Sequence, residues 1–369
     1  MKQIVFTLLS TVMFLTTANA QPYLLVGTYT GEKSKGVYVY RFNPDGSAKL
    51  VDSAVTPNPS YLAVSPNQQF VYAANEVGNR EGGGKVTAFR FNKKNGQLTE
   101  INSSLSQGEH PCYVSVDKTG KWVVVGNYSS GTVAVLPVKK DGSLGNAVAT
   151  EKHEGRGPTD RQTSPHVHAA VLSKDNKTLY VPDLGIDKVM VYAFNQQTGE
   201  ITPHEKALQA PAGAGPRHLT IHPTGKWAYL VQELSGTVTA FKNNSGKLEA
   251  VQTVSTIPKD FKGEFTSADI HVSPDGKFLY ASNRDASNTL AIFKINGTNG
   301  KLTLIGHQPV LGKTPRNFGF DPSSKFLLVA NQRSDEIVVF AVNKKTGLLK
   351  DTGKRIAVGS PVCVKWVRN

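Results

Sequence analysis

The stretch GPRHLTIHPTGKWAYLVQELSG, residues 215–236, brings together three side chains able to do chemistry. Arg217 and His218 open one apolar strand, Glu233 follows the end of the next, and the turn HPTG lies between them. Strands joined by such a turn pair antiparallel. The guanidinium, the imidazole and the carboxylate therefore meet at one end of a hairpin. A guanidinium holds carboxylate or phosphate bidentately and stabilises a developing oxyanion, while an imidazole and a carboxylate move protons. The set suits an anionic substrate with an oxygen centre to be activated.

The same hairpin recurs. PSYLAVSPNQQFVYAANE (59–76), PCYVSVDKTGKWVVVGNY (111–128), HAAVLSKDNKTLYVPDL (168–184), SADIHVSPDGKFLYASNR (267–284) and PRNFGFDPSSKFLLVANQ (315–332) share its plan with 216–233. Aligned on the turn, one polar position repeats: Asn75, Asn127, Asp183, Gln232, Asn283 and Asn331. A polar side chain recurring where a strand ends hydrogen-bonds the backbone and is structural. Its neighbours do not repeat. The second strands continue as Glu76, Tyr128, Leu184, Glu233, Arg284 and Gln332, and the first strands start with Ser60, Cys112, His168, Arg217, Ala268 and Arg316. Identical hairpins have no use for this variety. His168, Arg217, Glu233 and Arg284 are the expected catalytic groups. His166, His218, Asp183, Arg316 and Asn317 are the expected substrate contacts, with Asp183 shared between the structural and the functional reading. His222 sits in a distal turn and His271 within a strand, so both read as structural.

A second unit alternates with the first. Strands such as GVYVYRF, KVTAFRF, KVMVYAF and EIVVFAV run into glycine turns, NPDGS, NKKNG, KKDGS, NQQTG, NNSG, GTNG and NKKTG. Four strands per repeat of roughly 45–55 residues fit propeller blades. The fold class is all-β, a seven-bladed β-propeller with four antiparallel strands per blade. Seven turns accompany only six inner hairpins, so the remaining hairpin is split: SPVCVKW (360–366) supplies its first strand and PYLLVGTYT (22–30) its second. The chain ends then close the ring and remove the open sheet edge. In a propeller the start of the innermost strand and the end of the next share one face, which puts all the variable positions at the mouth of the central channel.

Residues 1–20 stand apart from this pattern. Lys2, the apolar run IVFTLLSTVMFL, and Ala18 and Ala20 read as a signal peptide cleaved before Gln21, so 21–369 forms the single domain and the protein is exported, periplasmic or secreted, with no further membrane attachment. The formal net charge of +14 comes with no long basic run and no nucleic-acid motif. It reads as a solvated basic surface that also draws anionic substrates by long-range attraction. The lysine pairs fall in hairpin turns, and the chain is expected to be a monomer that binds no nucleic acid. Cys112 and Cys363 are expected as buried thiols, with a disulfide between them as the alternative. No GxSxG elbow supports a serine hydrolase. HEKAL and HEGRG lack the second histidine of a zinc-protease helix. No cofactor and no metal is expected.

The segments LLVGTYTGEKSKGVYVY, PHVHAAVLSKDNKTLYVPDLGIDKV, GPRHLTIHPTGKWAYLVQEL, IHVSPDGKFLYASNR and PRNFGFDPSSKFLLVANQ resemble the seven-bladed propeller lactonases. That family includes bacterial 6-phosphogluconolactonases and the fungal carboxymuconate-lactonizing enzyme. The resemblance covers nearly the whole chain after residue 20. It implies a site at the PHxH histidine, the PRH arginine, the glutamate after the next strand and the SNR arginine. These are His168 (or His166), Arg217, Glu233 and Arg284, the residues that deviation from the repeat selects independently. The residue set suits an anionic substrate and direct attack of water on an activated ester, without a covalent intermediate; the resemblance implies that this ester is a small, sugar-derived lactone. A lactonizing cycloisomerase of muconate type and a propeller that binds without catalysis are the alternatives.

Overall fold

A computed structural model of the chain describes residues 21–204 and 206–368; the expected signal peptide lies outside them. The described residues form seven sheets, each an antiparallel blade. Blade 1 pairs Pro361–Val367 with Tyr23–Thr28, followed by Gly36–Phe42 and Ala48–Val55. Leu24 lies opposite Trp366 and Val26 opposite Val364, so the two ends of the chain close the ring as the split hairpin requires. Blades 2 to 7 span 59–105, 111–152, 171–209, 216–255, 267–309 and 315–357. Blade 4 departs from the others: its inner strand is reduced to Val171–Leu172, and its outer edge is split into Ile201–Pro203 and Leu208–Gln209.

The second strand of each blade is buried on both faces, as in VYAAN of blade 2 and FLYASN of blade 6. The core therefore lies between blades. One cluster joins Tyr23 and Leu25 of blade 1, Tyr72 and Phe89 of blade 2, and Val123 and Val125 of blade 3. Each blade also locks the next through its outer turn. The hydroxyls of Tyr72, Tyr229 and Tyr280 donate to the carbonyls of Gly142, Gly300 and Gly347 at 3.2, 3.0 and 2.7 Å. Gly300 has φ +70°, and a Cβ there would overlap the Trp227 ring of the preceding blade. That turn needs glycine for its backbone and for its contact.

The inner hairpins share a second feature. In blades 2, 3, 5 and 7 the register slips by one residue at the start of the first strand: Pro216 faces Gln232, but His218 faces Val231, leaving Arg217 unpaired. Ser60, Cys112 and Arg316 occupy the same slip. In blade 4 the slip falls between the Val167–Asp183 bridge and the Val171–Tyr180 pair, with His168 inside it. A β-bulge leaves its extra residue out of the ladder and re-aims its side chain. The variable positions at the first-strand starts are these bulged residues.

Candidate active site

Glu233 is the centre of the mouth. Arg217 Nε donates to its Oε2 at 2.8 Å. Arg284 Nη2 and Arg161 Nη2 lie 3.2 and 3.1 Å from its Oε1. Burial alone would raise its pKa, but Arg284, Arg217 and Arg161 outweigh burial and hold the carboxyl at about 2. It is a permanent carboxylate with both oxygens engaged, and a poor proton acceptor.

Arg217 is 1% exposed. Burial and the neighbouring Arg284 lower its pKa to about 10, which leaves it charged at neutral pH. Its Nη1 donates to the Ala268 carbonyl at 2.6 Å and lies 3.4 Å from His218 Nε2. His218 in turn places Nδ1 2.8 Å from Asp269 Oδ1. Asp269 is shared further: His271 Nε2 lies 2.8 Å from its Oδ2, and Asn317 Nδ2 donates to the same oxygen. His218 and Asn317, expected as substrate contacts, are thus built into the support beneath Arg217. Burial and Arg217 push the His218 imidazole down to about 4, against the opposing pull of Asp269.

His168 is buried on the bulge of blade 4. Burial first, then Arg217 and His218, push its pKa well below the ordinary histidine value, so the ring is neutral at pH 7. Its Nε2 lies 3.9 Å from Glu233 Oε2, too far for a hydrogen bond. On its other side Nδ1 lies 3.6 Å from the Cys112 thiol, which also reaches the Val167 carbonyl at 3.6 Å. Burial raises the thiol's pKa far above its ordinary value, so Cys112 is no thiolate. Cys112 and Cys363 are both free and buried, and the alternative of a disulfide is set aside. The His166 ring stacks on Tyr128 with centroids 4.4 Å apart, and Tyr128 meets His168 edge-on at 5.3 Å.

On the opposite side of the mouth, Tyr29 donates to Glu76 Oε2 at 2.8 Å, and Arg316 Nη2 lies 3.6 Å from the same oxygen. The Arg316 guanidinium sits over the Tyr29 ring. Four guanidiniums, of Arg161, Arg217, Arg284 and Arg316, thus face the two carboxylates of Glu76 and Glu233. Asp269 beneath Arg217 is a third carboxylate, so with His168 and His218 neutral the mouth carries an excess of one positive charge. Arg284 Nε is buried without a hydrogen-bond partner among the described residues. Burying cations beyond what their partners neutralise is costly, and an anionic ligand relieves it.

Asp183 belongs to the framework. Its Oδ1 accepts from the backbone of His166 at 2.7 Å and of Gly185 at 2.9 Å, and its Oδ2 lies 2.7 Å from His153 Nδ1. Oδ1 thus holds the segment that carries His166 and His168, and Oδ2 ties it to His153. The equivalent Asn127 and Asn283 donate to the carbonyls of Ser106 and Thr256, each at 2.8 Å, as the structural reading of that position requires. His222 bonds Thr224 and the Gly276 carbonyl at the far face, and His271 binds Asp269.

Sequence reasoning missed four contributors. Glu76 stood at a variable position, and Asp269 directly follows another, Ala268, as His218 and Asn317 follow Arg217 and Arg316. Tyr29 lies in the split hairpin, just past strand Tyr23–Thr28, and takes the place of Glu76 once that hairpin is aligned with the rest. Arg161 lies in the 153–167 connection, which matches no repeat, so no signal marked it.

A family model described as lactonase, 7-bladed beta-propeller, matches residues 23–366. The chain is 38% identical over 348 residues to the 6-phosphogluconolactonase of Bacillus subtilis, covering 93% of this chain and 97% of that protein. It is 37% identical over 344 residues to a 6-phosphogluconolactonase of Formosa agariphila, covering 91% and 96% respectively. The solved structure of the periplasmic gluconolactonase of Pseudomonas aeruginosa superposes with a TM-score of 0.89 at 39% identity, over 94% of this chain and 99% of that one. With its split closing blade and a mouth built from the variable positions of the repeat, the chain belongs to the lactonase family of seven-bladed β-propellers.

Proposed function

We propose that this protein hydrolyses the ester bond of a small anionic lactone at the mouth formed by His168, Arg217, Glu233 and Arg284. The observation that carries this reading is a buried neutral imidazole beside a carboxylate clamped by three guanidiniums, in a mouth with surplus positive charge. His168 is the general base. Its Nδ1 side faces the Cys112 thiol, and Nε2 faces the side of Glu233. Water attacks the lactone carbonyl as Nε2 takes its proton. The oxyanion of the tetrahedral intermediate is stabilised by Arg217 and Arg284, which are fixed before the charge develops. Collapse breaks the ring C–O bond, the imidazolium returns the proton to the ring oxygen, and the acid product ionises in solvent. Glu233 orients the arginines and stabilises the imidazolium without itself changing protonation.

The family relatives that carry the name 6-phosphogluconolactonase, and the one named a periplasmic gluconolactonase, support a sugar-derived lactone. Ala18 and Ala20 ahead of Gln21, together with that periplasmic relative, support export. Released into the periplasm or medium, the protein acts as a monomer on lactones outside the cytoplasm.

Acid release from a panel of aldonolactones, phosphorylated aldonolactones and muconolactones tests the reading. Acid release from at least one class, lost in Glu233→Gln and His168→Ala, is expected. Binding without release from any lactone would leave a binding module, and closure of a muconate, followed by its absorbance, would indicate the cycloisomerase. N-terminal sequencing of protein from the native host should begin at Gln21, and sedimentation should give a single species near the mass of one chain.

A further inference from the structure

The arginines of the mouth form a gradient of exposure. The side chain of Arg217 is 1% exposed, that of Arg284 11%, and that of Arg161 54%. The two deeper ones flank the proposed reaction centre. Arg161 stands at the rim, and its contacts use one nitrogen only: Nη2 meets Glu233 Oε1 at 3.1 Å and the Tyr128 hydroxyl at 3.5 Å. Its Nε and Nη1 have no partner among the described residues.

The loop that presents it is firmly held. Gln162 is fully buried, and its Nε2 donates to the Leu184 carbonyl at 2.8 Å and to Asp187 Oδ1 at 2.7 Å. Asp187 also accepts from the backbone of Gly213 and Gly215 at 2.7 and 2.8 Å, two residues ahead of Arg217 in the second case. One buried carboxylate thus ties the loop of Arg161 to the approach of Arg217. An exposed arginine usually spends entropy to find a partner; here the backbone beneath it is already fixed, so its free nitrogens are presented at a set place.

We infer that Arg161 is a specificity-determining residue that binds an anionic substituent, phosphate or carboxylate, at the end of the lactone remote from the reacting carbonyl. The inference rests on the reading of this mouth as a lactone site. Arg161 Nη2 and Arg284 Nη2 meet on one carboxylate oxygen. They are therefore no further apart than those two contacts laid end to end, within the length of a six-carbon sugar acid. A substrate whose carbonyl lies against the deep arginines extends its far end to the rim. The free Nε–H and Nη1–H groups of the guanidinium can each donate a charge-assisted hydrogen bond to an oxygen of phosphate or carboxylate, and the surplus positive charge of the mouth is matched by such a group.

The test uses binding, so it stands even if no lactone is turned over. Three ring-opened acids differ only at carbon six: gluconate carries a hydroxyl, glucarate a carboxylate, and 6-phosphogluconate a phosphate. Calorimetry on the wild-type protein should show at least one anionic acid bound about ten- to a hundredfold more tightly than gluconate, the scale of a charge-assisted hydrogen bond. The larger preference names the group. In Arg161→Gln the ratio of anionic acid to gluconate should fall towards one, and Arg161→Lys should keep part of it. Equal binding of all three acids by the wild type, or a full preference surviving in Arg161→Gln, overturns the inference. Failure of every lactone to release acid, with the preference intact, would instead remove the proposed hydrolysis and leave Arg161 as assigned.

Discussion

At the scale of single residues, the mouth separates two groups whose types alone look interchangeable. Glu233 and His168 could each act as the base. The arginines clamp the carboxylate at about 2 with both oxygens engaged, while burial and positive neighbours keep the imidazole in its neutral form, with a ring nitrogen lone pair available as a base. His168→Ala should therefore lose about a hundred- to ten-thousandfold in kcat, the usual loss of a positioned acid–base group. Arg217→Ala should lose about a hundred- to thousandfold. His222→Ala, at the opposite face, should turn over normally and serves as the control. If Arg217→Ala and His168→Ala both match the wild type, the chemistry lies elsewhere. The same shifts govern acid stability. Unfolded His168 and His218 take up protons near pH 6.5, whereas the native rings resist protonation, His218 down to about 4. Unfolded Glu233 protonates near its ordinary value while the native carboxylate persists to about 2. In each case acid favours the unfolded chain. The melting temperature should fall from pH 6.5 towards 4 and fall further from pH 4.5 towards 2. A melting temperature that rises on acidification across the first window would contradict the burial of neutral histidines.

At the scale of elements, the bulge and the outer turn carry the design. The bulge takes one residue out of each inner ladder and sends it to the channel mouth, so blades can differ there without disturbing strand pairing. The outer turn does the reverse: it repeats because each glycine meets the blade before it. Gly300→Ala forces a side chain into a left-handed backbone conformation, at a cost of about 1–2 kcal/mol, and drives a methyl group into Trp227. The variant should melt lower by chemical denaturation, yet its folded fraction should keep wild-type kcat, because the turn lies on the outer part of the blade, away from the mouth. Loss of kcat at unchanged stability would contradict this separation of roles.

At the scale of the whole molecule, the ring depends on two strands far apart in sequence. Tyr23–Thr28 lies between Pro361–Val367 and Gly36–Phe42, and Leu25 and Tyr23 are buried in a core shared with blades 2 and 3. Deleting residues 22–30 opens blade 1, exposes the neighbouring strands as edges, and strips apolar surface from that core. The truncated protein should melt well below the full chain and aggregate through the exposed edges. A melting temperature equal to that of the intact ring would show that blade 1 closes without this strand.

The sequence by itself determined the blade count, the split closing hairpin and which repeat positions are structural. All three follow from local periodicity and turn chemistry, which need no knowledge of distant neighbours. It also marked His168, Arg217, Glu233, Arg284 and Arg316, because an approximately symmetric ring makes every departure from the repeat visible. Only the tertiary structure decided how those departures divide. His218 and Asn317 turn down to Asp269, and Asp183 spends its oxygens on backbone amides and on the His153 ring, since hydrogen-bond direction depends on the bulge and on the adjoining blade. Arg161 was invisible for the opposite reason. Its connection has no counterpart in the other blades against which to be compared, and its place over Glu233 is set by Gln162 and Asp187 folding a long loop back across the mouth.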